Sequence, residues 1–122
     1  MSMTTSTKQV GSVTVVDITG RIVLGEESAS VRDVVADLLT SGHKQILLNL
    51  AGVEYIDSMG LGSLVGAFAT AKKHEGELKL CNLPDKVADL MQMTKLYTVF
   101  DILSDEDTGV KSFSTSAAAA KR

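Results

Sequence analysis

The spacing of apolar residues changes several times along this chain, and each change marks the edge of an element. Between Val10 and Ile18, apolar Val13, Val15 and Ile18 stand among Gly11, Ser12, Thr14 and Thr19, a β-rich composition. Gly11-Ser12 reads as a tight turn, so the spacing predicts an antiparallel hairpin, roughly Thr7 to Val10 and Val13 to Ile18, ended by Gly20. From Glu27 the period lengthens. Val31, Val34, Val35, Leu38 and Leu39 recur at intervals of three and four, one face of a helix that Ser28 or Ser30 could cap and Gly42 would stop.

Gln45 to Leu50 is almost continuously apolar and reads as an interior strand, followed by a loop through Gly52 to Ile56. A second helix is expected from Asp57 or Ser58, with Leu61, Leu64, Val65 and Phe68 on its core face and an end at His74 to Gly76. Glu77 to Cys81 is the next strand. Pro84 suits the first turn of a third helix whose Val87, Leu90 and Met91 face inward. Tyr97 to Leu103 offers a last strand centred on Val99-Phe100, and Asp105 to Phe113 a last helix with an acidic first turn. The small residues from Ser114 onward, closed by Lys121-Arg122, hold too little apolar surface to dock.

Strands that alternate with helices imply parallel neighbours joined by helical crossovers. The expected fold is therefore α/β: one domain over residues 7–114, a mixed sheet of four to five strands, and about four helices packed mainly on one face. Residues 1–6 and 115–122 are expected to be flexible tails. Leu47, Leu50, Leu64, Phe68, Leu80 and Leu90 are the expected core.

At 122 residues, 44% hydrophobic and 22% charged, the chain can bury a single core without disulfides or metals. A net charge of −3, with basic residues scattered along the chain, lacks the footprint of a nucleic-acid binder. The lone Cys81 lies in an apolar alternation and reads as a buried structural thiol. No apolar run nears the roughly 20 residues that span a bilayer, and the start has no signal-peptide core, so a cytoplasmic place is expected.

Asp57-Ser58-Met59-Gly60-Leu61-Gly62 carries more information than any other segment. Its plain reading is structural: Asp57 or Ser58 caps a helix, and Gly60 and Gly62 allow close packing on the sheet. A helix start also points free N–H groups outward and tolerates an added phosphate, so Ser58 could be a switch without being a catalyst. Met59, Gly60 and Gly62 would then offer a low apolar face to a partner. Nucleotide binding fits poorly, because about ten residues separate Leu50 from the glycines and the spacing to Gly66 is wrong. Hydrolysis fits no better: Ile56 breaks a Gly-x-Ser-x-Gly elbow, and His43 and His74 sit beside lysines at helix ends. One cysteine and two distant histidines make no metal site, and no cofactor is expected. The acidic runs Glu26-Glu27 and Asp105-Glu106-Asp107 precede helices, where the dipole favours them.

From Val10 to about Phe113 the chain resembles the anti-sigma factor antagonists, a group of STAS domains. Tyr55-Ile56-Asp57-Ser58-Met59-Gly60-Leu61-Gly62 matches that group's Asp-Ser-x-Gly-Leu-Gly segment, and Ile18 to Ile22, Ile46 to Leu50 and Leu78 to Leu80 support it. The resemblance implies phosphorylation of Ser58 by a partner that is both anti-sigma factor and serine kinase. It implies that the unphosphorylated form binds this partner and frees a sigma factor, and that a phosphoserine phosphatase resets the cycle. The implied partner surface comprises Gly20, Arg21, Ile22, Glu26, Asp57, Ser58, Met59, Gly60, Leu61 and Gly62, on a monomer or weak dimer that is not itself an enzyme. The chain departs from the group at Val23, where many members carry an acid. STAS domains also serve as phosphate-independent scaffolds in transporters and stress-sensing complexes, which is the alternative reading.

Overall fold

The computed structural model describes residues 4–22 and 31–120, and of 114–120 the backbone alone. Strands β1 (Thr4–Val10) and β2 (Val13–Ile22) form the expected hairpin, with Val10 opposite Val13 and Gly11 at φ +62 in the turn. Helix α1 (Val31–Thr40) leads to β3 (Gln45–Ile56), α2 (Ser58–Lys73), β4 (Glu77–Cys81), α3 (Asp85–Thr94), β5 (Asp101–Leu103) and α4 (Glu106–Ala120). The candidate caps Ser28 and Ser30 lie outside the described residues, as do the ends 1–3 and 121–122. The stretch read as an N-terminal tail contributes Thr4 to Ser6 to β1.

Five strands lie in sequence order, β1 antiparallel to β2 and every later pair parallel. Each parallel step is a crossover of one hand to the next neighbour, which sends α1, α2 and α3 to the same face of the sheet. There Val16, Ile18, Ile46, Leu48, Leu50, Leu78 and Leu80 meet Val35, Leu39, Leu64, Ala67, Val87 and Met91 in the main core. On the other face α4 is the one helix among the described residues, its Phe113 buried with Val13, Val15, Leu47 and Cys81. Of the expected core, Leu47, Leu50, Leu64 and Leu80 are fully buried, while Phe68 and Leu90 pack against the cluster and stay partly exposed.

Four local readings need correction. Residues Gly52 to Ile56 are strand, not loop: β2 runs on to Ile22, and Gly20 pairs with Val53, Arg21 with Tyr55 and Ile22 with Ile56. Bulges between Asp17 and Thr19 and between Gly20 and Arg21, with Gly20 at φ +96, break the alternation that would have marked the extension. The last strand is three residues long. Before it a 3-10 turn, Leu96–Thr98, follows Lys95, which ends α3 at φ 61. Phe100 is core through a different geometry, its N–H donating to the Leu96 carbonyl and its ring set edge-on to Phe68 at 5.3 Å. Helix α4 runs to Ala120, past the expected end at Phe113, as a run of four alanines at positions 117–120 permits. Val65, read as core-facing, is exposed.

The acidic start of α4 has the expected role. The Thr108 N–H donates to Asp105 Oδ1 at 2.8 Å, holding that carboxyl below its ordinary range, and Glu106 pairs with Lys8 of β1 at 3.0 Å. Cys81 is fully buried, and burial, reinforced by Glu106, Asp17 and Asp105, pushes its thiol up to about 12.

Two glycines of α2 differ in kind. A Cβ on Gly60 would stand 1.8 Å from the Ile22 carbonyl oxygen, whereas one on Gly62 meets nothing within 4 Å. Gly60→Ala is therefore expected to cost about 1–3 kcal/mol or more by overpacking, and Gly62→Ala to be neutral or to stabilise by up to about 1 kcal/mol, both read from urea unfolding. Cys81 is expected to resist alkylation at pH 8 in the folded protein and to react fully in denaturant. Because its folded value is the raised one, stability should fall as pH climbs from the thiol's ordinary value near 9.0 toward about 12.

Candidate functional site

The site forms where β2, β3 and α2 meet. Asp57 is extended, at φ −102 and ψ 180, and serves as N-cap of α2, its Oδ1 accepting from the Gly60 N–H at 2.7 Å. Its own N–H donates to the Ile22 carbonyl at 3.4 Å, which ties the helix start to the end of β2. The cap is thus Asp57, leaving Ser58 as the first helical residue, exposed, with no hydrogen bond to its hydroxyl among the described residues. Ser63 is the other serine of α2. Its Oγ is buried and without a partner among the described residues, so it cannot meet an approaching enzyme without the helix moving.

The residues expected to bind a partner divide by depth. Ile22, Gly60 and Leu61 are buried and build the junction. Arg21, Ser58, Met59 and Gly62 are exposed, and Gly20 and Asp57 are half-buried. Glu26 lies outside the described residues. The two glycines read together as a low apolar face separate here: Gly60 is pressed against Ile22, and Gly62 alone lies open.

Two features escaped the sequence. The exposed face of α2 carries Ser58, Met59, Gly62, Val65 and Ala69, and no charged residue occurs from Ser58 to Ala71. A run of 14 helical residues without a charge was visible in the sequence, but beyond Met59 its large apolar members, Val65 among them, were credited to the core. The second is Tyr55, which is 45% exposed and carries the Arg21 guanidinium 4.9 Å from its ring centroid. Reading Gly52 to Ile56 as a loop hid that cross-strand pair.

The rival chemistries lose on geometry. With β3 ending at Ile56, the glycines do follow a strand closely, so distance from Leu50 is no longer the reason to set nucleotide binding aside. The reason is topological. Dinucleotides bind open α/β sheets where strand order reverses, and this order never does. Gly60, moreover, faces Ile22 rather than open space. Neither histidine can serve Ser58 as a base: His74 follows the far end of α2, roughly 24 Å away at 1.5 Å per residue, and His43 precedes β3 at the opposite end of the sheet. Among the described residues no group of three potential metal ligands occurs, and no helix is long and apolar enough to cross a membrane.

Comparison with known proteins places these features in a family. Residues 4–118 match the STAS domain family. The chain is similar to an anti-sigma-B factor antagonist of Bacillus subtilis, 42% identical over 62 residues that cover 51% of this chain and 57% of that protein. It spans about half the length of the curated relatives it matches. Among solved structures it is similar in fold to an anti-sigma factor antagonist from Mycobacterium paratuberculosis, with a TM-score of 0.76 at 18% identity, covering 90% of this chain and 92% of that one. It is also similar in fold to the Bacillus cell fate determinant SpoIIAA in its phosphorylated form, with a TM-score of 0.63 at 18% identity over 85% and 95% of the two chains. The match over nearly the whole length, on a sheet of this order with α2 seated on Ile22, means that the chain belongs to the STAS domain family.

Proposed function

We propose that this chain is an anti-sigma factor antagonist that works by partner switching in the cytoplasm. Unphosphorylated, it binds an anti-sigma factor that is also a serine kinase, and a sigma factor is freed for transcription. Phosphorylation of Ser58 weakens that complex, and a phosphoserine phosphatase restores it. The observation that carries this reading is the division of labour at the start of α2, where Asp57 caps the helix and Ser58 keeps an exposed, unbonded hydroxyl. The name of the Bacillus subtilis relative supports it.

The chemistry asks little of this chain. Ser58 Oγ attacks the γ-phosphorus of ATP held by the partner, the bond to ADP breaks, and the hydroxyl proton passes to a base on the kinase. Magnesium, positioning and charge stabilisation are the partner's contribution in phosphoryl transfer. The working domain in this reading is residues 7–114, acting as a monomer or weak dimer. Around Ser58, exposed Met59, Gly62 and Val65 form an uncharged contact lane. A phosphate brings about −1.5 to −2 charges, and burying it against such a lane without a partner costs several kcal/mol.

A tenfold loss of affinity needs only about 1.4 kcal/mol. Ser58→Ala is therefore expected to bind the kinase with or without ATP, and Ser58→Asp to bind at least about tenfold more weakly with an unchanged circular dichroism spectrum. The decisive measurement is mass spectrometry after incubation with ATP and the kinase captured from the source cell. Phosphate on Ser58 is expected; phosphate on Ser63 or a threonine, or none, sinks the assignment, and capture of membrane transport subunits in place of a kinase would favour the scaffold reading.

A further inference from the structure

The two edges of the sheet are guarded unequally. At one edge β5 is three residues long, and shortness by itself discourages pairing with another chain. At the other, β1 runs for seven residues, all of them exposed and none of them proline, in unbroken register with β2. A further strand laid along β1 would not leave all seven exposed, so among the described residues this edge is open. Its main chain faces outward in a fixed pattern. Val10 and Val13 flank a two-residue turn and so exchange both main-chain bonds; alternation then commits Lys8, Ser6 and Thr4 to β2 and turns the N–H and C=O groups of Thr5, Thr7 and Gln9 to solvent. Lys8 is the strand's one charged residue, the kind that guards an exposed edge, and here it is drawn to Glu106 of α4 at 3.0 Å.

On this geometry we propose that β1 is a self-association surface, on which a second copy of this chain lays its own β1 antiparallel about a two-fold axis through Thr7. The outward main-chain groups are symmetric about that residue. Thr7 meets Thr7 of the second copy, Thr5 meets Gln9 and Gln9 meets Thr5, which is the one register that satisfies all three residues on both strands. The side chains agree with it. Lys8 falls opposite Ser6, so the strands' only charges are not opposed, and threonine stands across from threonine at the axis. The contact is isologous and closes at two, because the edges then left over are the short β5 strands. At 3.4 Å per residue it is about 24 Å long and one strand wide, the small end of interface sizes, which fits a reversible dimer. Pairing leaves both copies of Ser58 open, since β2 separates β1 from β3 and the α2 start that follows it. The inference stands apart from the reading of Ser58 as a phosphorylated residue.

The test is sedimentation velocity of the full chain from about 5 µM to about 1 mM, where a reversible monomer–dimer equilibrium is expected to shift with concentration. Thr7→Lys and Thr7→Glu each set two like charges across the axis at an exposed position that gives β2 no main-chain bond, so both variants should fold and each should dimerise at least about tenfold more weakly. An equal mixture of the two opposes unlike charges and should recover the dimer as a mixed pair. Met93→Lys, at an apolar residue of α3 that is 78% exposed, should leave the equilibrium unchanged. The inference is overturned if the chain stays monomeric throughout that range, if Thr7→Lys dimerises like the unchanged protein, if the mixture fails to recover the dimer, or if Met93→Lys is the change that abolishes it.

Discussion

The close seat of α2 on the Ile22 carbonyl is the contact on which the rest of the site depends. A helix start can approach a strand's main chain this nearly only where a residue has no Cβ, and Gly60 supplies that place. Once the helix is seated, Asp57 lies within reach of both the Ile22 carbonyl and the Gly60 N–H. The orphan donors of the first turn are partly satisfied by a side chain of the cap rather than by the serine that follows it. Ser58 is free because the packing below it is tight. Had the cap fallen to Ser58, its hydroxyl would be a structural group, and modifying it would unpick the helix.

The same economy explains why one face of the sheet is heavily covered and the other lightly. Strands laid down in sequence order, each joined by a crossover of one hand, must place all three connecting helices together. The opposite face has α4, held by Phe113 in a small apolar cluster and by Lys79, whose Nζ donates to Ser112 Oγ at 3.1 Å over the Phe113 ring. Beyond that helix the face turns polar. Asn49 donates to Asp17 and accepts from Asn82, a row of hydrogen bonds from β2 through β3 to the residue after β4 that satisfies groups an apolar cover would strand.

How far the chain could be read in advance follows from which physical signals are local. The helical stripe of α1, the continuous run Ile46 to Leu50 and the Asp57 start of α2 were legible, because each rests on periodicity or capping within a dozen residues. The far half of β3 was not. Ala51-Gly52 looks like a turn, and only bulges in β3 itself, which holds one residue more than β2 between Asn49 and Gly52 and again between Val53 and Tyr55, bring Val53, Tyr55 and Ile56 back into register. Gly52 is needed there because a Cβ would stand 2.4 Å from Thr19 Cγ2, a contact between strands that no window of sequence contains. Phe100 shows the same limit. Its apolar neighbours Tyr97 and Val99 suggested a strand, yet both are exposed and the ring is carried inward by a helical turn. At the site, motif and helix start were legible, whereas the separation of Gly60 from Gly62 and the pairing of Arg21 with Tyr55 required the third dimension.

Magnitudes decide where the effect of a phosphate on Ser58 would be felt. A negative charge at an exposed helix start is favourable by about 0.3–1 kcal/mol, and salt screens it. The adjacent Asp57 carboxylate opposes it through water-rich surroundings, where two charges 4 Å apart interact by about 1–4 kcal/mol between the limits of bulk solvent and a protein surface. These terms have opposite signs, and at the bulk-solvent limit that suits the exposed Ser58 each is no more than about 1 kcal/mol, so the folded chain should register little. No buried apolar contact changes, because Ser58 and Met59 are both exposed. At an interface the balance is different. Solvent that screened the charge is excluded, the neighbouring lane along α2 offers no charged group, and the desolvation cost of an unpaired dianion then exceeds either surface term. A switch built this way leaves its own stability nearly unchanged and places almost the whole penalty in the complex, which is the property a reversible regulator requires.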